Sequence, residues 1–437
     1  MKHAPTPVTL QIESLSHEGR GIAHIDGKTT FVDYALPGET ISAQITKQKG
    51  RYNEAKTLDV IEASEKRVPA RCPHFGTCGG CNLQHMQADM QLELKQQTVK
   101  ELLQHQAQST AEHWLPPLTS SEFQYRRKAR LSVKYVDKKQ KLLIGFREKQ
   151  GRYVADIDYC DILTASAGHQ LQAMAAMVEQ LSIHKKIPQI EVAVCDAHTA
   201  LIIRHLEPMT EQDHSIITRF AQTHRFHIYL QPKGIDSIHR LHPVDADKPH
   251  YAIPDYQLRM EHEPHHFTQI NQSINLKMIA QALSLLELKP GDRVIDLFCG
   301  IGNFTLPMAR QGCHVTGVEG SDDAIRQAKE NAIINELENV DFFSANLFES
   351  VYNQDWSQRA YNKVLLDPPR AGAQEIIPLI ATWRPSHLVY VSCNPATLAR
   401  DIGLLTDHGY QLAQCGIMDM FPQTKHIETM ALLTLSE

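Results

Sequence analysis

The 437-residue chain contains no apolar run near the roughly 20 residues that cross a bilayer, so no helical membrane span is expected. Met-Lys-His-Ala-Pro-Thr opens it with no apolar segment behind, which reads as the absence of a secretory leader. Internal repeats and low-complexity stretches are also missing, which leaves ordinary globular domains. There is no excess of positive charge: 44 Lys and Arg stand against 50 Asp and Glu, a net charge of -6. The whole-chain sum therefore gives no hint of nucleic acid, and any such binding has to come from local basic patches. Cysteine is sparse at nine residues. Three of these are crowded together, which fits a reducing compartment and metal or catalytic thiols better than a disulfide framework. The chain reads as cytosolic and is long enough for two to four cored domains.

From Pro7 to about Val68 the pattern is all-β. Val8-Thr-Leu-Gln-Ile-Glu, Gly21-Ile-Ala-His-Ile, Lys28-Thr-Thr-Phe-Val and Glu39-Thr-Ile-Ser-Ala-Gln-Ile are short apolar-alternating runs. Asp26-Gly27 is a hairpin signal and Leu36-Pro37-Gly38 marks another connection. With a fifth strand before Val68, these predict a small barrel of the oligonucleotide-binding kind. Lys47, Lys49, Arg51 and Lys56 gather in its last hairpin, either as a solvated surface or as an RNA contact.

Next, Cys72, Cys78 and Cys81 are spaced C-x5-C-x2-C in a glycine-rich loop. Three thiols in ten residues are hard to explain as packing. A tetrahedral zinc site and an iron-sulfur cluster both remain open, and each requires a fourth ligand. Cys160, in Asp158-Tyr-Cys-Asp-Ile-Leu, is the preferred fourth; His74 and His85 are two of 24 histidines.

Ala88 to Gln106 has the periodicity of a linker helix. In Phe123-Gln-Tyr-Arg-Arg-Lys-Ala-Arg-Leu-Ser-Val-Lys-Tyr135, alternation puts Arg126, Lys128 and Arg130 on one strand face, a cationic ladder suited to phosphates or a solvated edge. Gln189-Ile-Glu-Val-Ala-Val, Ala200-Leu-Ile-Ile-Arg and a helix near Gln212 to Thr223 complete an α+β middle domain.

The last third is α/β. Phe267-Thr-Gln-Ile-Asn-Gln272 introduces a helix, Ile274 to Leu286. Arg293-Val-Ile-Asp-Leu-Phe-Cys-Gly-Ile-Gly-Asn303 is a strand that ends in an acid and a G-x-G loop, and Thr305 replaces the third glycine of a dinucleotide fingerprint. His314-Val-Thr-Gly-Val-Glu319 ends a second strand in a carboxylate able to bind ribose hydroxyls. Asn346 follows a third strand and could reach an adenine edge. Lys363-Val-Leu-Leu-Asp-Pro-Pro-Arg370 ends a fourth. His387-Leu-Val-Tyr-Val-Ser-Cys-Asn-Pro395 delivers Cys393 to a strand's carboxyl end, where open α/β sheets bind ligands. Taken alone, that thiol is either a nucleophile or a small buried hydrophobe.

The order of barrel, C-x5-C-x2-C, F-x-Q-x-N, D-x-F-C-G-x-G-N, L-D-P-P-R-x-G, S-C-N-P and D-M-F-P-Q-T-x-H-x-E resembles the RNA uracil-5-methyltransferases across nearly the whole chain. The barrel itself resembles a TRAM domain. Possession of barrel and cysteines together looks like the branch that methylates uracil 1939 of 23S rRNA. That resemblance implies a TRAM-like barrel over residues 7–68, a central α+β domain over 69–262, and a Rossmann-like methyltransferase domain over 263–437. It implies S-adenosylmethionine held at Gln269, Phe298, Asn303, Glu319, Asn346 and Asp367, and a 4Fe-4S cluster on Cys72, Cys78, Cys81 and Cys160. It also implies Cys393 as nucleophile, Glu428 as general base, and a cytoplasmic monomer acting on 23S rRNA. One departure is Asp161 after Cys160, where the family pattern has proline.

The implied chemistry is covalent. Uracil C5 is a poor nucleophile, and a thiolate added at C6 would push electron density to C5; a base must then take the C5 proton. Reaching C6 requires an unstacked base. Alternatives are a uridine at another 23S site or in tRNA, and a non-catalytic iron-sulfur RNA-binding factor, which would not need Cys393 and Glu428 beside a complete cofactor pocket. DNA cytosine methylation is disfavoured because its nucleophile sits in a Pro-Cys turn early in the domain.

Overall fold

A computed structural model describes residues 7–149 and 151–435. The opening hexapeptide and the last two residues of the expected 263–437 domain lie outside the described residues. No described helix is long and apolar enough to cross a membrane. The chain forms two compact units. The first takes residues up to 98 together with Phe146–Ala155 and Phe421–His426; the second takes Val99–Gly145, Asp156–Met420 and Ile427–Glu437. The cysteine-rich stretch thus packs with the N-terminal β-domain. Most of the expected 69–262 segment shares a unit with the larger, C-terminal sheet.

In the first unit, alternation builds a six-stranded sheet in the order Val8–Gln11, Thr40–Gln48, Tyr52–Glu62, Lys28–Asp33, Gly21–Ile25, Ser14–Leu15. Leu10, Ile12, Ala23, Val32, Ile41, Ala43 and Ala55 form its core. Asp26 and Gly27 turn the hairpin with φ of 48° and 76°, the left-handed pair that a two-residue turn requires. Lys47, Lys49, Arg51 and Lys56 are all exposed, and Lys47 pairs with Glu54 at 3.1 Å.

The second unit holds two sheets. The smaller runs His239–His242, Phe226–Gln231, Thr199–Arg204, Gln189–Val194, Lys128–Val136, Lys141–Gly145. The helix Glu211–His224 begins on a capping box between Thr210 and Asp213 and buries Ile217 and Phe220. The cationic ladder is not formed as expected. The strand begins only at Lys128, and Arg126 makes backbone bridges to Leu163 and Asn271 instead. The Lys128 ammonium donates to the His266 carbonyl, and burial lowers its pKa to about 8. Arg130 is exposed but faces Glu191 on the neighbouring strand, 3.0 Å away. Register with that strand, invisible locally, separates the three roles.

The larger sheet has strands β1 (Arg293–Leu297), β2 (His314–Glu319), β3 (Val340–Ser344), β4 (Lys363–Leu366), β5 (His387–Ser392), β6 (Tyr410–Met418) and β7 (Glu428–Leu435). Their order is β3-β2-β1-β4-β5-β7-β6, with His113–Trp114 added along β6. Strands β1 to β5 are parallel; β7 runs antiparallel between β5 and β6. The parallel strands read as unbroken apolar runs because helices cover such sheets on both faces. Flanking helices are α1 (Gln272–Leu286), α2 (Thr305–Arg310), α3 (Asp322–Ile334), α4 (Ile377–Trp383) and α5 (Pro395–Asp407). Asn271, the last residue of F-x-Q-x-N, caps α1 by accepting the Ile274 N–H at 3.3 Å.

Gly317 in β2 is closely packed at the carboxyl half of its strand. A Cβ there would lie 2.8 Å from the Phe342 ring and 3.0 Å from Cys299 Sγ. Gly317→Ala should therefore cost about 1–3 kcal/mol through overpacking, read as a lowered unfolding midpoint in urea. An unchanged midpoint would contradict this packing.

Candidate active site

The loop after β1 is shaped by backbone that side chains rarely adopt. Phe298, Gly300 and Gly302 have φ of 66°, 55° and 92°. The resulting turn points the Gly300 N–H at Glu319, whose Oε2 accepts it at 3.2 Å while Oε1 accepts the Ser321 N–H at 3.0 Å. Glu319 thus stands half-buried at the end of β2, held by the two loops that would flank a ribose. The Phe298 ring meets Phe348 at 5.7 Å between centroids, and Asn346, after β3, is exposed and donates to Glu349 at 2.7 Å. Aromatic faces and an amide at this strand end suit a flat heterocycle.

Asn303 is used by the protein itself. Its Oδ1 accepts the Tyr251 hydroxyl at 2.9 Å and the Asn275 amide at 3.1 Å, and its Nδ2 donates back to Asn275 at 2.9 Å. It therefore fixes the G-x-G loop onto α1. Gln269 lies half-buried in the loop before that helix. His265 and His266 tie this loop to the first turn of α3 through Asp323 Oδ2, at 3.0 and 2.7 Å. His266 Nδ1 accepts the Glu263 N–H at 3.1 Å, so its proton sits on Nε2 and the trio is a clasp rather than a metal site.

Asp296, in β1, was read only as an acid at the strand end. It is fully buried; Thr305 donates to its Oδ2 at 2.5 Å, and Oδ1 has no partner among the described residues. Burial raises its pKa to about 8. An orphaned carboxyl oxygen beneath the G-x-G turn is a place for a ligand's cationic or N–H group. An acid inside an apolar strand just before G-x-G was the available signal.

The Cys393 side of the site is built by one turn. Ser392 Oγ accepts the Asn394 N–H at 3.1 Å, Asn394 Oδ1 caps α5 on the Ala396 N–H at 3.2 Å, and Pro395 occupies its first position. Cys393 is left half-buried between strand and helix. The Asp367-to-Ala373 loop is latched to the same turn: Arg370 O accepts from Asn394 Nδ2 at 3.0 Å and from the Thr397 hydroxyl at 3.3 Å. Fully buried Asp401 completes the latch, accepting from Ala373 N at 2.7 Å and the Tyr390 hydroxyl at 2.6 Å. Gly372, with φ of 85°, permits the approach; a Cβ there would meet Asp401 at 2.5 Å.

Strand pairing brings the acid to the thiol. In the β5-β7 ladder Val391 faces Met430 and Ser392 faces Thr429, the last pair, so Cys393 leaves β5 at the end where Glu428 enters β7. Electrostatics report the same proximity. Burial, Glu428 and Asp367 push the Cys393 thiol up to about 11, while Arg370 pulls it down. Burial and Asp367 raise Glu428 to about 8, again opposed by Arg370. Burial raises Asp367, just past the end of β4, to about 7. A thiol, two carboxyls that titrate near neutrality and one arginine can together form a nucleophile and move protons.

In the first unit, Cys72, Cys78 and Cys81 share one loop, each half-buried. The Gly80 N–H donates to Cys78 Sγ at 3.4 Å, and burial together with Cys72 raises the Cys78 thiol. His85, packed on Phe75 of that loop, keeps both ring nitrogens buried without partners among the described residues. Cys160 is buried in the second unit, its N–H donating to Gly168 O at 3.0 Å.

Residues 87–436 match the family described as tRNA (Uracil-5-)-methyltransferase, and residues 7–58 match the TRAM domain. The 23S rRNA (uracil(1939)-C(5))-methyltransferase RlmD of Francisella tularensis subsp. novicida is 47% identical over 97% of this chain and 95% of its own. The RlmD proteins of Alkalilimnicola ehrlichii and Legionella pneumophila are each 45% identical over 98% of this chain, and over 96% and 97% of theirs. The crystal structure of Pyrococcus abyssi tRNA (uracil-54, C5)-methyltransferase with S-adenosyl-L-homocysteine superposes with a TM-score of 0.76 at 22% identity, covering 98% of this chain and 100% of that one. With an N-terminal TRAM domain and a methyltransferase fold, the chain belongs to the RNA uracil-5-methyltransferase family, among its 23S rRNA (uracil(1939)-C(5)) members.

Proposed function

We propose that the chain methylates C5 of uridine 1939 in 23S rRNA through a covalent intermediate on Cys393. The observation that carries the mechanism is the β5-β7 register, whose last pair, Ser392 and Thr429, is immediately followed by Cys393 on one strand and preceded by Glu428 on the other, in the sheet that also ends in the Glu319 and Asp296 loops. When bound, S-adenosylmethionine supplies the methyl group. Glu319, Asn346, Phe298, Gln269 and Asp367 are the residues to hold it, with Asn303 shaping the loop, and the unpartnered Asp296 Oδ1 fits a ligand with donors to offer.

Each protein step then has a residue. A thiol with a pKa of about 11 is scarcely ionised at neutral pH, so its proton must leave as sulfur bonds to C6, and the Asp367 carboxylate can accept it, which leaves Glu428 ionised for the later step. The C5-C6 π electrons move to the O4 enolate, which makes C5 nucleophilic. Once C5 carries the methyl group, ionised Glu428 takes the C5 proton. That electron pair re-forms the double bond and expels Cys393 as thiolate. Exposed Lys47, Lys49, Arg51 and Lys56 suit the flanking phosphates.

The cysteines support a 4Fe-4S cluster held by Cys72, Cys78, Cys81 and Cys160, since clustered thiols beside orphaned ring nitrogens suit a centre whose sulfurs accept hydrogen bonds. Reduced, clustered thiols also support a cytoplasmic location. Anaerobically purified protein should contain iron and acid-labile sulfide. Stoichiometric zinc without sulfide would overturn the cluster.

Two further outcomes separate the catalytic roles. Cys393→Ala should abolish methyl transfer, whereas Glu428→Gln should accumulate a methylated RNA adduct that survives denaturant; normal turnover of Glu428→Gln would remove it as the base. Turnover should rise with pH through the Glu428 value of about 8, because only the ionised carboxyl accepts the proton. Arg370 lowers both pKa values, so Arg370→Ala should move that limb about one unit higher. A limb that stays in place, or moves lower, would contradict the coupling.

A further inference from the structure

We propose that a buried polar knot around Gln423, made by Gln91 and Asn82, is the positioning device for the general base. The inference rests on the reading of Glu428 as that base. Residues Phe421–His426 belong to the first compact unit, although the chain on either side, through Met420 and from Ile427, belongs to the second. Glu428 therefore begins β7 two residues after a segment whose conformation is set within the first unit.

The knot fixes that segment closely. Gln423 is buried and left-handed, with φ of 67°, a region that side chains larger than glycine seldom enter. Its carbonyl accepts the Asn82 and Leu83 N–H groups at 3.0 and 3.1 Å. Its own N–H donates to Gln91 Oε1 at 3.1 Å, and its side-chain Oε1 accepts from Gln91 Nε2 at 3.1 Å. Gln91 also donates to Leu83 O at 3.2 Å and Met86 O at 2.9 Å, so both ends of this buried amide are committed. On either side, Lys95 donates to Phe421 O at 3.2 Å and Asn82 Oδ1 accepts the Lys425 N–H at 2.9 Å. Lys95 is 1% exposed, so its cation is held inside at this carbonyl. Such density of buried bonds is more than a surface loop needs, and its product is a fixed backbone for Phe421–His426, the segment that leads by chain connection into Ile427 and Glu428.

A residue that only aims the base should affect proton removal and leave addition of the thiol to C6 alone. The test uses full-length protein, 23S rRNA and S-adenosylmethionine carrying a labelled methyl group, in single turnover. Gln423→Val places a β-branched residue where φ is positive, and Gln91→Ala removes four hydrogen bonds from the knot. Each should form methylated adduct within about threefold of the native rate and release product at least tenfold more slowly, so that denaturant-stable adduct accumulates. Gln423→Gly, which accepts the left-handed backbone, should restore release relative to Gln423→Val.

Equal slowing of both steps, or release at the native rate, overturns the proposal. So does a Gln423→Gly variant that stalls as fully as Gln423→Val. If Gln423→Val fails to fold, seen as loss of S-adenosylmethionine binding, Gln91→Ala decides by the same criteria. Glu428→Gln run in parallel separates the two claims. If it releases product normally, the base assignment falls; if it stalls while the knot variants do not, only the positioning role falls.

Discussion

The hydrogen-bonded ladder between β5 and β7 is the constraint on which the active site depends. Strand β5 is the last of five parallel strands, and its carboxyl end opens into a turn; β7 returns antiparallel, so its first residue meets that same end. Antiparallel pairing has a side-chain period of two, and a slip of one residue would turn Glu428 to the opposite face. The apolar neighbours make such a slip expensive, because Met430, Ala431 and Leu433 in β7 and Val389, Tyr390 and Val391 in β5 are all buried. Core packing therefore specifies the register that brings the start of β7 to the end of β5.

Desolvation supplies the chemistry. Asp296, Asp367 and Glu428 all stand above the usual carboxylate range because burial disfavours their charged forms. Each pKa unit represents about 1.4 kcal/mol of preference for the protonated state, so the site holds several kcal/mol against accumulating negative charge. Arg370 works the other way on both Cys393 and Glu428. Its place is secured by the latch from the Arg370 and Ala371 carbonyls to Asn394, Thr397 and Arg400, anchored by Asp401. The motifs D-P-P-R-x-G and S-C-N-P are thus two halves of one structure.

Much of this was legible in the sequence because it is local. Ser392, Asn394 and Pro395 build a turn among themselves, so a strand, a thiol and a helix start could be read within ten residues. Asp26-Gly27 announced its hairpin for the same reason, whereas the role proposed for Glu428 comes from the family motifs and not from any local pattern. What escaped was set by long-range partners. The cationic ladder failed because Glu191 and the His266 carbonyl come from other parts of the chain. The partners of Asn303 were equally hidden, since Asn275 and Tyr251 come from the helix and strand before the G-x-G loop. Gln91, 332 positions from Gln423, had no signal in sequence at all.

The most direct test of the central claim is to incubate the protein with methyl-labelled S-adenosylmethionine and, separately, unmodified 23S rRNA and tRNA, then map the label by nuclease digestion and mass spectrometry. The account predicts one 5-methyluridine, at position 1939 of 23S rRNA, and no labelled tRNA. Label in tRNA, at a different 23S nucleotide, or on an atom other than C5 would contradict it.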